Sequence, residues 1–262
     1  NGEYWIFAPA GGVKRGWQTV MRAPTLSGPW QSRDVLHQGN SPINGPHQGA
    51  WVELENGENW FFHFQDKGVY GRIVHLQPLC WGADGWPQIG QRLNDTGKGQ
   101  PVSLHRLPAL PVAPCCLQTS DDFRHGQPGV QWQWQANPQR HWLTPHQQGL
   151  RLRCALTSGD ISLYRLPQLL LQKFPAERFD VQTAVDPMFS QDGDEAGIAI
   201  YGQRFAALCV TYRAANLQLA LCHGWIDDRG ETHQQSIGLE EVSGCKEIEL
   251  GFQVDYDGVV HF

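Results

Sequence analysis

The stretch Asn44–Arg72 decides how this chain is interpreted, and it reads N-G-P-H-Q-G-A-W-V-E-L-E-N-G-E-N-W-F-F-H-F-Q-D-K-G-V-Y-G-R. A Gly-Pro-His-Gln-Gly turn is followed by a strand, a turn at Asn56-Gly57 and a second strand rich in aromatic residues. Asn-Gly between two such strands is the strongest short-range signal for a β-hairpin. The hairpin ends therefore carry His47 and Arg72 on loops that the strands hold in place, which predicts a binding or catalytic site.

The composition excludes several classes of protein. The chain has 262 residues, which fits one large or two ordinary domains. Only 18% of residues are charged, whereas 29 Gly, 17 Pro and 11 Trp are present, a balance typical of all-β proteins. The formal charge of -6 argues against nucleic acid, because phosphate binding requires clustered Lys and Arg. Aromatic residues without a basic field favour neutral ligands such as sugars, and no apolar run is long enough to span a membrane.

The order of strand and turn signals predicts two regions. Short strands separated by Gly, Pro and Asn turns continue to about Gly90 and predict antiparallel four-stranded blades. The Pro-rich segment 107–118 predicts an extended linker, so the domains are expected at 1–106 and 119–262. In the second region, runs such as Phe179–Val185 and Leu217–Cys222 are typical of a β-sandwich.

Tryptophans and cysteines add two further expectations. Trp132 and Trp134 are two residues apart in one predicted strand and should share a face, which favours a core or interdomain surface over a sugar-stacking platform. The seven cysteines include adjacent Cys115 and Cys116 but no C-x-x-C pair, which predicts free buried thiols. Thiols stay reduced in the cytoplasm, so this location is favoured over the periplasm or secretion.

The first region resembles the later blades of the five-bladed β-propeller of glycoside hydrolase family 43. The resemblance rests on Asn1–Val20, which begins N-G-E-Y-W-I-F-A-P-A, on the hairpin residues Gly45–Arg72, and on Asp84–Gly90, which reads D-G-W-P-Q-I-G. The second region resembles the C-terminal sandwich of one group of this family in Gln131–Pro138, Leu169–Ala176 and Asp194–Ile200. The resemblance implies an all-β fold, a partial five-bladed β-propeller followed by a concanavalin-like β-sandwich.

The resemblance also implies where the catalytic groups lie. The family uses two Asp residues from its first two blades and a Glu general acid that precedes the N-G-x-Y-W strand. Glu3 lies within that strand and does not match the motif of the acid. All three catalytic carboxylates are therefore expected upstream of Asn1, and none in this chain. Because Asn1 and Phe262 both interrupt strand patterns, we expect a fragment of a longer protein.

The carboxylates close to the hairpin do not replace the missing ones. They are interpreted as solvated turn charges, and they are Glu53, Glu55, Glu58 and Asp66. The implied activity of the whole protein is inverting hydrolysis of xylo- or arabino-oligosaccharides from hemicellulose, as a β-xylosidase or an α-L-arabinofuranosidase. The alternative is a non-catalytic carbohydrate-binding protein built from the same parts. The sequence leaves the oligomeric state open, a homo-oligomer included.

Four residues are candidates for the site. The resemblance implies that His47 ligates a central Ca²⁺ together with water, although a structural histidine would be favoured without it. Arg72 is implied to be an active-site arginine, and its guanidinium suits sugar hydroxyls. Trp17 could stack on a sugar or pack within a blade. Gln48 could donate hydrogen bonds to hydroxyls or serve only the loop.

Overall fold

The computed structural model describes residues 2–93, 96–109, 113, 115–146, 149–154 and 161–262. The chain divides into two compact units, Asn1–Cys115 and Cys116–Phe262. Both are built from β-strands, and the helices of the described residues are single 3₁₀ turns, Gly68–Tyr70 and Leu163–Arg165. Within the described part, no helix is long and apolar enough to cross a membrane. Residues 110–112 and 114 of the predicted linker lie outside the described residues, so the linker and the domain bounds stay predictions.

The first unit contains two sheets. One has the strand order β1-β2-β3-β9-β8, and the other is the antiparallel series β4-β5-β6-β7. The strands are β1 Tyr4–Ala10, β2 Trp17–Ala23, β3 Gln31–Leu36, β4 His47–Glu53, β5 Asn59–Asp66, β6 Arg72–Trp81, β7 Pro87–Ile89, β8 Gln91–Leu93 and β9 Lys98–Gln100. The core is apolar and draws on both sheets through Val20, Val35, Leu36, Phe61, Leu79, Trp86 and Ile89. Burial of these side chains is the main favourable term that holds the sheets together.

The predicted hairpin is present, with one difference at its turn. The last pair of the ladder is Glu53 with Asn59, so five residues connect the strands. The amide of Leu54 donates to the carbonyl of Glu58 at 2.8 Å. Gly57 has a φ of 82°, which explains why glycine follows asparagine here. The Asn-Gly pair thus closes a longer turn than the two-residue loop it most often forms.

Strands β3, β8 and β9 were not predicted. The segment of β3, Q-S-R-D-V-L, has exposed residues at its start and two adjacent buried residues, Val35 and Leu36, at its end, so no alternation is visible. Strand β9 has only three residues and pairs with β3 in parallel at a single position, Leu36 with Gly99. Pairings of this kind join residues more than sixty positions apart, which local patterns do not encode.

The second unit has the strands of a sandwich. Its larger sheets have the orders β15-β16-β17-β18 and β14-β19-β20, and two smaller pairs are β10-β13 and β11-β12. The strands are β10 Gln133–Trp134, β11 Leu143–His146, β12 Gly149–Leu152, β13 Leu170–Leu171, β14 Phe179–Val185, β15 Glu195–Ile200, β16 Arg204–Arg213, β17 Asn216–Ile226, β18 Thr232–Glu241, β19 Ile248–Val254 and β20 Val260–His261. Val210, Ile248 and Leu250 form a core between the two larger sheets.

Two expectations for this unit are corrected. Trp132 lies in a turn, where its indole N–H donates to Asp121, whereas Trp134 packs on Trp142 with ring centroids 5.6 Å apart. The two indoles therefore do not form a single surface on one strand. Strand β18 was missed because nine of its ten residues are exposed, so its polar residues face solvent on both sides.

The cysteines are all free, but most of them are not buried. Five are exposed, namely Cys80, Cys115, Cys116, Cys154 and Cys245. Cys209 and Cys222 are buried in one apolar cluster, where burial raises the pKa of Cys209 to about 12 and that of Cys222 to about 11. These two thiols are therefore structural and unreactive at neutral pH, because the thiolate is the nucleophile.

Candidate functional site

His47 is held at an interruption of the β4–β5 ladder. It pairs with Phe64, whereas the next registered pair is Ala50 with Phe62, so the strand has a bulge between these positions. Gln48, inside the bulge, has a φ of 54°, a left-handed conformation that side chains with a Cβ seldom adopt. Backbone strain of this kind is concentrated at functional sites. The bulge leaves the Gln48 side chain exposed directly beside His47.

The imidazole of His47 is held by one hydrogen bond and by close packing against its neighbours. The side chain is 2% exposed, and its Nδ1 lies 2.7 Å from the carbonyl oxygen of Gly45. A carbonyl can only accept, so Nδ1 carries a proton and donates it to Gly45, and Nε2 is the ring nitrogen left for a ligand. A Cβ at Gly16 would lie 2.7 Å from Cδ2 of His47, so only glycine lets the backbone lie against this ring.

Phe64 brings the two ends of the hairpin stretch together. The His47 and Phe64 rings have centroids 5.2 Å apart at an angle of 45°. The guanidinium of Arg72 lies over the same Phe64 ring, 4.9 Å from its centroid. A cation over an aromatic face is attracted by the ring quadrupole, which orders the arginine. The sequence did not single out Phe64; the only available signal was its position opposite His47 in the hairpin.

Trp17 is fixed by Asp34 and His37. Its indole N–H donates to Asp34 at 3.1 Å, and the Thr19 hydroxyl donates to the same carboxylate oxygen at 2.7 Å. The His37 ring stacks on the Trp17 ring at an angle of 5° and a centroid distance of 5.6 Å. One face of the indole is therefore covered by His37, and Gly11 also lies close to its six-membered ring, where a Cβ would be 2.3 Å from Cζ3. Asp34 and His37 were missed because they lie at the end of a strand that the sequence does not reveal.

Two of the carboxylates near the hairpin, Glu58 and Asp66, make structural contacts. Glu58 is paired with Arg106 and accepts hydrogen bonds from the amide of Ala109 and the indole of Trp60. The Ala109 amide and the Arg106 guanidinium are the main causes that lower the pKa of Glu58 to about 2. Asp66 accepts from the amide of Gly68 at 3.3 Å. A carboxyl with so low a pKa as that of Glu58 cannot serve as a proton donor near neutral pH.

Two further histidines lie beneath the site. His63 is 2% exposed, and its Nε2 is buried without a hydrogen-bond partner. Desolvation is the main cause that lowers the pKa of His63 to about 4. The His75 ring stacks on His63 with centroids 5.4 Å apart, and burial also lowers the pKa of His75. Both rings are thus neutral at pH 7 and belong to the packing of the hairpin.

The donor set around His47 limits the kind of metal that could bind. In the described ranges, one group of three His, Cys, Asp or Glu residues brings its ligand atoms within 4.8 Å of one another, and it lies on a turn of the second unit, at Asp227, Glu231 and His233. His47 therefore offers a single nitrogen. Calcium takes six to eight oxygen ligands, so these residues fit only a cation whose shell is mostly water.

Comparison with known proteins identifies the class. Residues 1–87 match the glycosyl hydrolases family 43, and residues 120–260 match the β-xylosidase C-terminal concanavalin A-like domain. The second match alone covers more than half of the chain. The chain therefore belongs to glycoside hydrolase family 43, in the group that carries this C-terminal domain.

Curated relatives share the assignment. A protein of Xylanibacter ruminicola, named as a candidate β-xylosidase, is 40% identical to this chain over 210 residues. The match covers 79% of this chain and 39% of that protein. A β-xylosidase of Formosa agariphila is 33% identical over 146 residues, 53% of this chain and 24% of its own length. A non-reducing end α-L-arabinofuranosidase of Bacteroides ovatus is 24% identical over 213 residues, 75% of this chain and 39% of its own length. The chain thus spans less than half the length of these relatives.

Solved structures confirm the fold class. A family 43 protein of Bacillus licheniformis matches with a TM-score of 0.78 and 23% identity, over 98% of this chain and 50% of the other. A xylan β-1,4-xylosidase of Bacillus halodurans matches with a TM-score of 0.66 and 20% identity, over 99% and 61%. The predicted all-β fold, propeller blades followed by a concanavalin-like sandwich, is confirmed.

Proposed function

We propose that the protein to which this chain belongs is an inverting glycosidase that releases xylose or arabinose from hemicellulose-derived oligosaccharides. The observation that carries the proposal is the placement of His47 and Arg72 against one ring, Phe64, in a family 43 chain. The curated relatives, named for β-xylosidase and α-L-arabinofuranosidase activity, support the same substrate class.

Each candidate residue has a role in this proposal. Arg72 would donate to sugar hydroxyls from a guanidinium that Phe64 orders. Trp17 would offer the face of its indole that His37 does not cover, and Gln48 would donate from the exposed bulge. These three side chains bind and orient a pentose; none of them can transfer the proton that cleaves a glycosidic bond.

The proton-transferring groups belong to a part of the protein outside these residues. Inversion needs a carboxylic acid that protonates the leaving oxygen and a carboxylate that activates water, roughly 6.5–9.5 Å apart. The nearby Glu58 is held as an ion-paired anion, which supports a location elsewhere. The curated relatives, of which this chain spans at most 39%, have room for these groups.

Calcium is part of the proposal through His47. The Nδ1–H of His47 is committed to Gly45, so Nε2 is the ligand atom, and water would supply the remaining ligands. The bound ion would place a fixed positive charge beside the sugar site. His47→Ala should weaken calcium binding of the complete protein, as measured by calorimetry, and unchanged affinity would contradict the ligand role.

Activity assays test the function. The complete gene product should hydrolyse nitrophenyl β-xyloside, nitrophenyl α-arabinofuranoside or both, with inversion followed by NMR of the released sugar. The 262-residue chain should bind pentose but not turn over either substrate. Normal turnover by the isolated chain would refute the assignment of the carboxylates. Sugar binding by the complete protein without turnover would favour the alternative, a non-catalytic carbohydrate-binding protein.

A further inference from the structure

A chain of side-chain hydrogen bonds links the loops that carry the candidate ligand residues. The Nε2 of His75, on β6, lies 3.1 Å from Oε1 of Gln65, on β5. The amide nitrogen of Gln65 donates to the carbonyl of Pro42 and to Oδ1 of Asn44, both at 3.1 Å. The amide nitrogen of Asn44 donates to the carbonyl of Lys14 at 3.3 Å.

The direction of every hydrogen bond in this series is determined by the groups at its two ends. The carbonyls of Pro42 and Lys14 can only accept, so each must face an amide nitrogen. That fixes the orientation of the Gln65 and Asn44 side chains, and Oε1 of Gln65 must then accept from Nε2–H of His75. Both donors of the Gln65 amide and its oxygen are used, so the side chain is held in one orientation.

The hydrogen-bonded residues lie only a few positions along the backbone from the candidate site residues. Lys14 precedes Trp17 by three residues, and Asn44 precedes His47 by three residues. His75 follows Arg72 by three residues on β6. At the base, the His75 ring stacks on His63, which in turn stacks on Phe61 of the core. The bonds therefore connect two loops, those of Lys14 and Asn44, and strand β6 to one buried stack.

We propose that His75, Gln65 and Asn44, here called the loop-positioning chain, set the mutual positions of Trp17, His47 and Arg72. They are positioning residues: none of them needs to touch the sugar. The significance of the proposal rests on the proposed function, since it assumes that these three side chains bind one ligand. The mechanical claim, that the loops move together, can be tested without any ligand.

The test compares the complete protein with its Gln65→Leu variant, a change that removes all three bonds of Gln65 at similar volume. The Nδ1–H signal of His47 and the indole N–H signal of Trp17 are followed by ¹H–¹⁵N NMR, with assignment from His47→Ala and Trp17→Phe. We expect Gln65→Leu to shift both signals and to raise the solvent exchange rate of the His47 Nδ1–H about tenfold, because its loop opens more often.

Gln77→Leu is the matched control. Gln77 lies on the same sheet, is 1% exposed, and exchanges hydrogen bonds with the backbone of Val102, away from the site. We expect it to lower the unfolding temperature and to leave both signals in place. Equal shifts in Gln77→Leu and Gln65→Leu, or no shift in Gln65→Leu, would overturn the proposal.

Asn44→Asp separates the two ends and keeps the test decisive if Gln65→Leu fails to fold. The aspartate can still accept from Gln65 but cannot donate to Lys14, so the Trp17 signal should move more than the Nε2–H signal of His75, which is followed in the same spectra. The reverse order would contradict the proposed path. Titration of the same samples with xylose tests the proposed function separately: absence of sugar binding in the wild type would weaken that function and leave the NMR comparison intact.

Discussion

Two hairpins of this molecule, β4–β5 and β16–β17, differ in how regularly their strands pair. The β16–β17 ladder runs without a break from Arg204 opposite Trp225 to Arg213 opposite Asn216. The β4–β5 ladder is interrupted by the bulge after His47, with left-handed Gln48 inside it. The regular hairpin places Val210 and Cys209 in apolar clusters on its two faces. The interrupted one contributes Phe61 to an apolar core and in addition buries the polar rings of His47 and His63, a combination expected where a strained backbone holds a site.

Of the two hairpins, β4–β5, here called the site hairpin, should be the one that loses stability in acid, because it buries imidazoles. His63 has an ordinary pKa of 6.5 when unfolded and a pKa of about 4 when folded, so between these values the unfolded chain binds more protons. The free energy of unfolding of the first unit should therefore fall as the pH drops from 6.5 to 4, by about 3 kcal/mol in total, and no further from this group below pH 4.

His63→Phe should flatten that pH dependence, because the phenyl ring keeps the stack without a titrating group. Denaturant unfolding at several pH values, followed by tryptophan fluorescence, measures the effect. If the wild type and His63→Phe lose stability in parallel between pH 6.5 and 4, another group is responsible.

Arg72 should matter for activity in a way that an arginine of the regular hairpin does not. In the complete protein, Arg72→Lys should lower kcat/KM about 100-fold, because a lysine cannot reproduce the planar fork of donors. Arg204→Lys, at the end of β16, is the control and should leave kcat/KM unchanged. Comparable losses in both variants would remove the special role of the site hairpin.

Glycine should be essential at Gly16, beside the site, and replaceable at Gly238, on β18 of the second unit. At Gly16 a Cβ would lie 2.5 Å from the carbonyl of Gly12 and 2.7 Å from the His47 ring, so Gly16→Ala should destabilise the first unit by about 2 kcal/mol. At Gly238 on β18 a Cβ would meet no atom within 4 Å. Gly238→Ala should therefore leave the unfolding temperature unchanged. An equal loss of stability in both variants would show that the His47 ring is not packed closely against Gly16.

The turn of the regular hairpin is its one strained point. Ala214 and Ala215 have φ values of 49° and 66°, both in the left-handed region. Asn-Gly is preferred at such turns because neither residue has the same steric cost. The double substitution Ala214→Asn, Ala215→Gly should stabilise the second unit by about 1 kcal/mol in thermal unfolding. A decrease would mean that the alanines make a contact the turn geometry does not reveal.

Strands in which apolar and polar residues alternate could be predicted from the sequence, and the others could not. Phe179–Val185 was predicted at its observed bounds, because its residues alternate between a half-buried and a solvated face. Strand β18 was missed for the opposite reason, since it is exposed on both faces. Strands β8 and β9 escaped because each has only three residues, too few to show an alternation, although they pair with each other.

The amino-acid sequence by itself determined the hairpin and the all-β class, because turn residues and alternation are local. Its resemblance to family 43 indicated the family and the roles considered for His47, Arg72, Trp17 and Gln48. Only the tertiary structure decided what surrounds them: Phe64 between His47 and Arg72, and His37 on one face of Trp17. The loop-positioning chain was likewise invisible in the sequence, since its bonds join residues ten to thirty positions apart. Such contacts depend on sheet register and loop path, which short-range patterns do not specify.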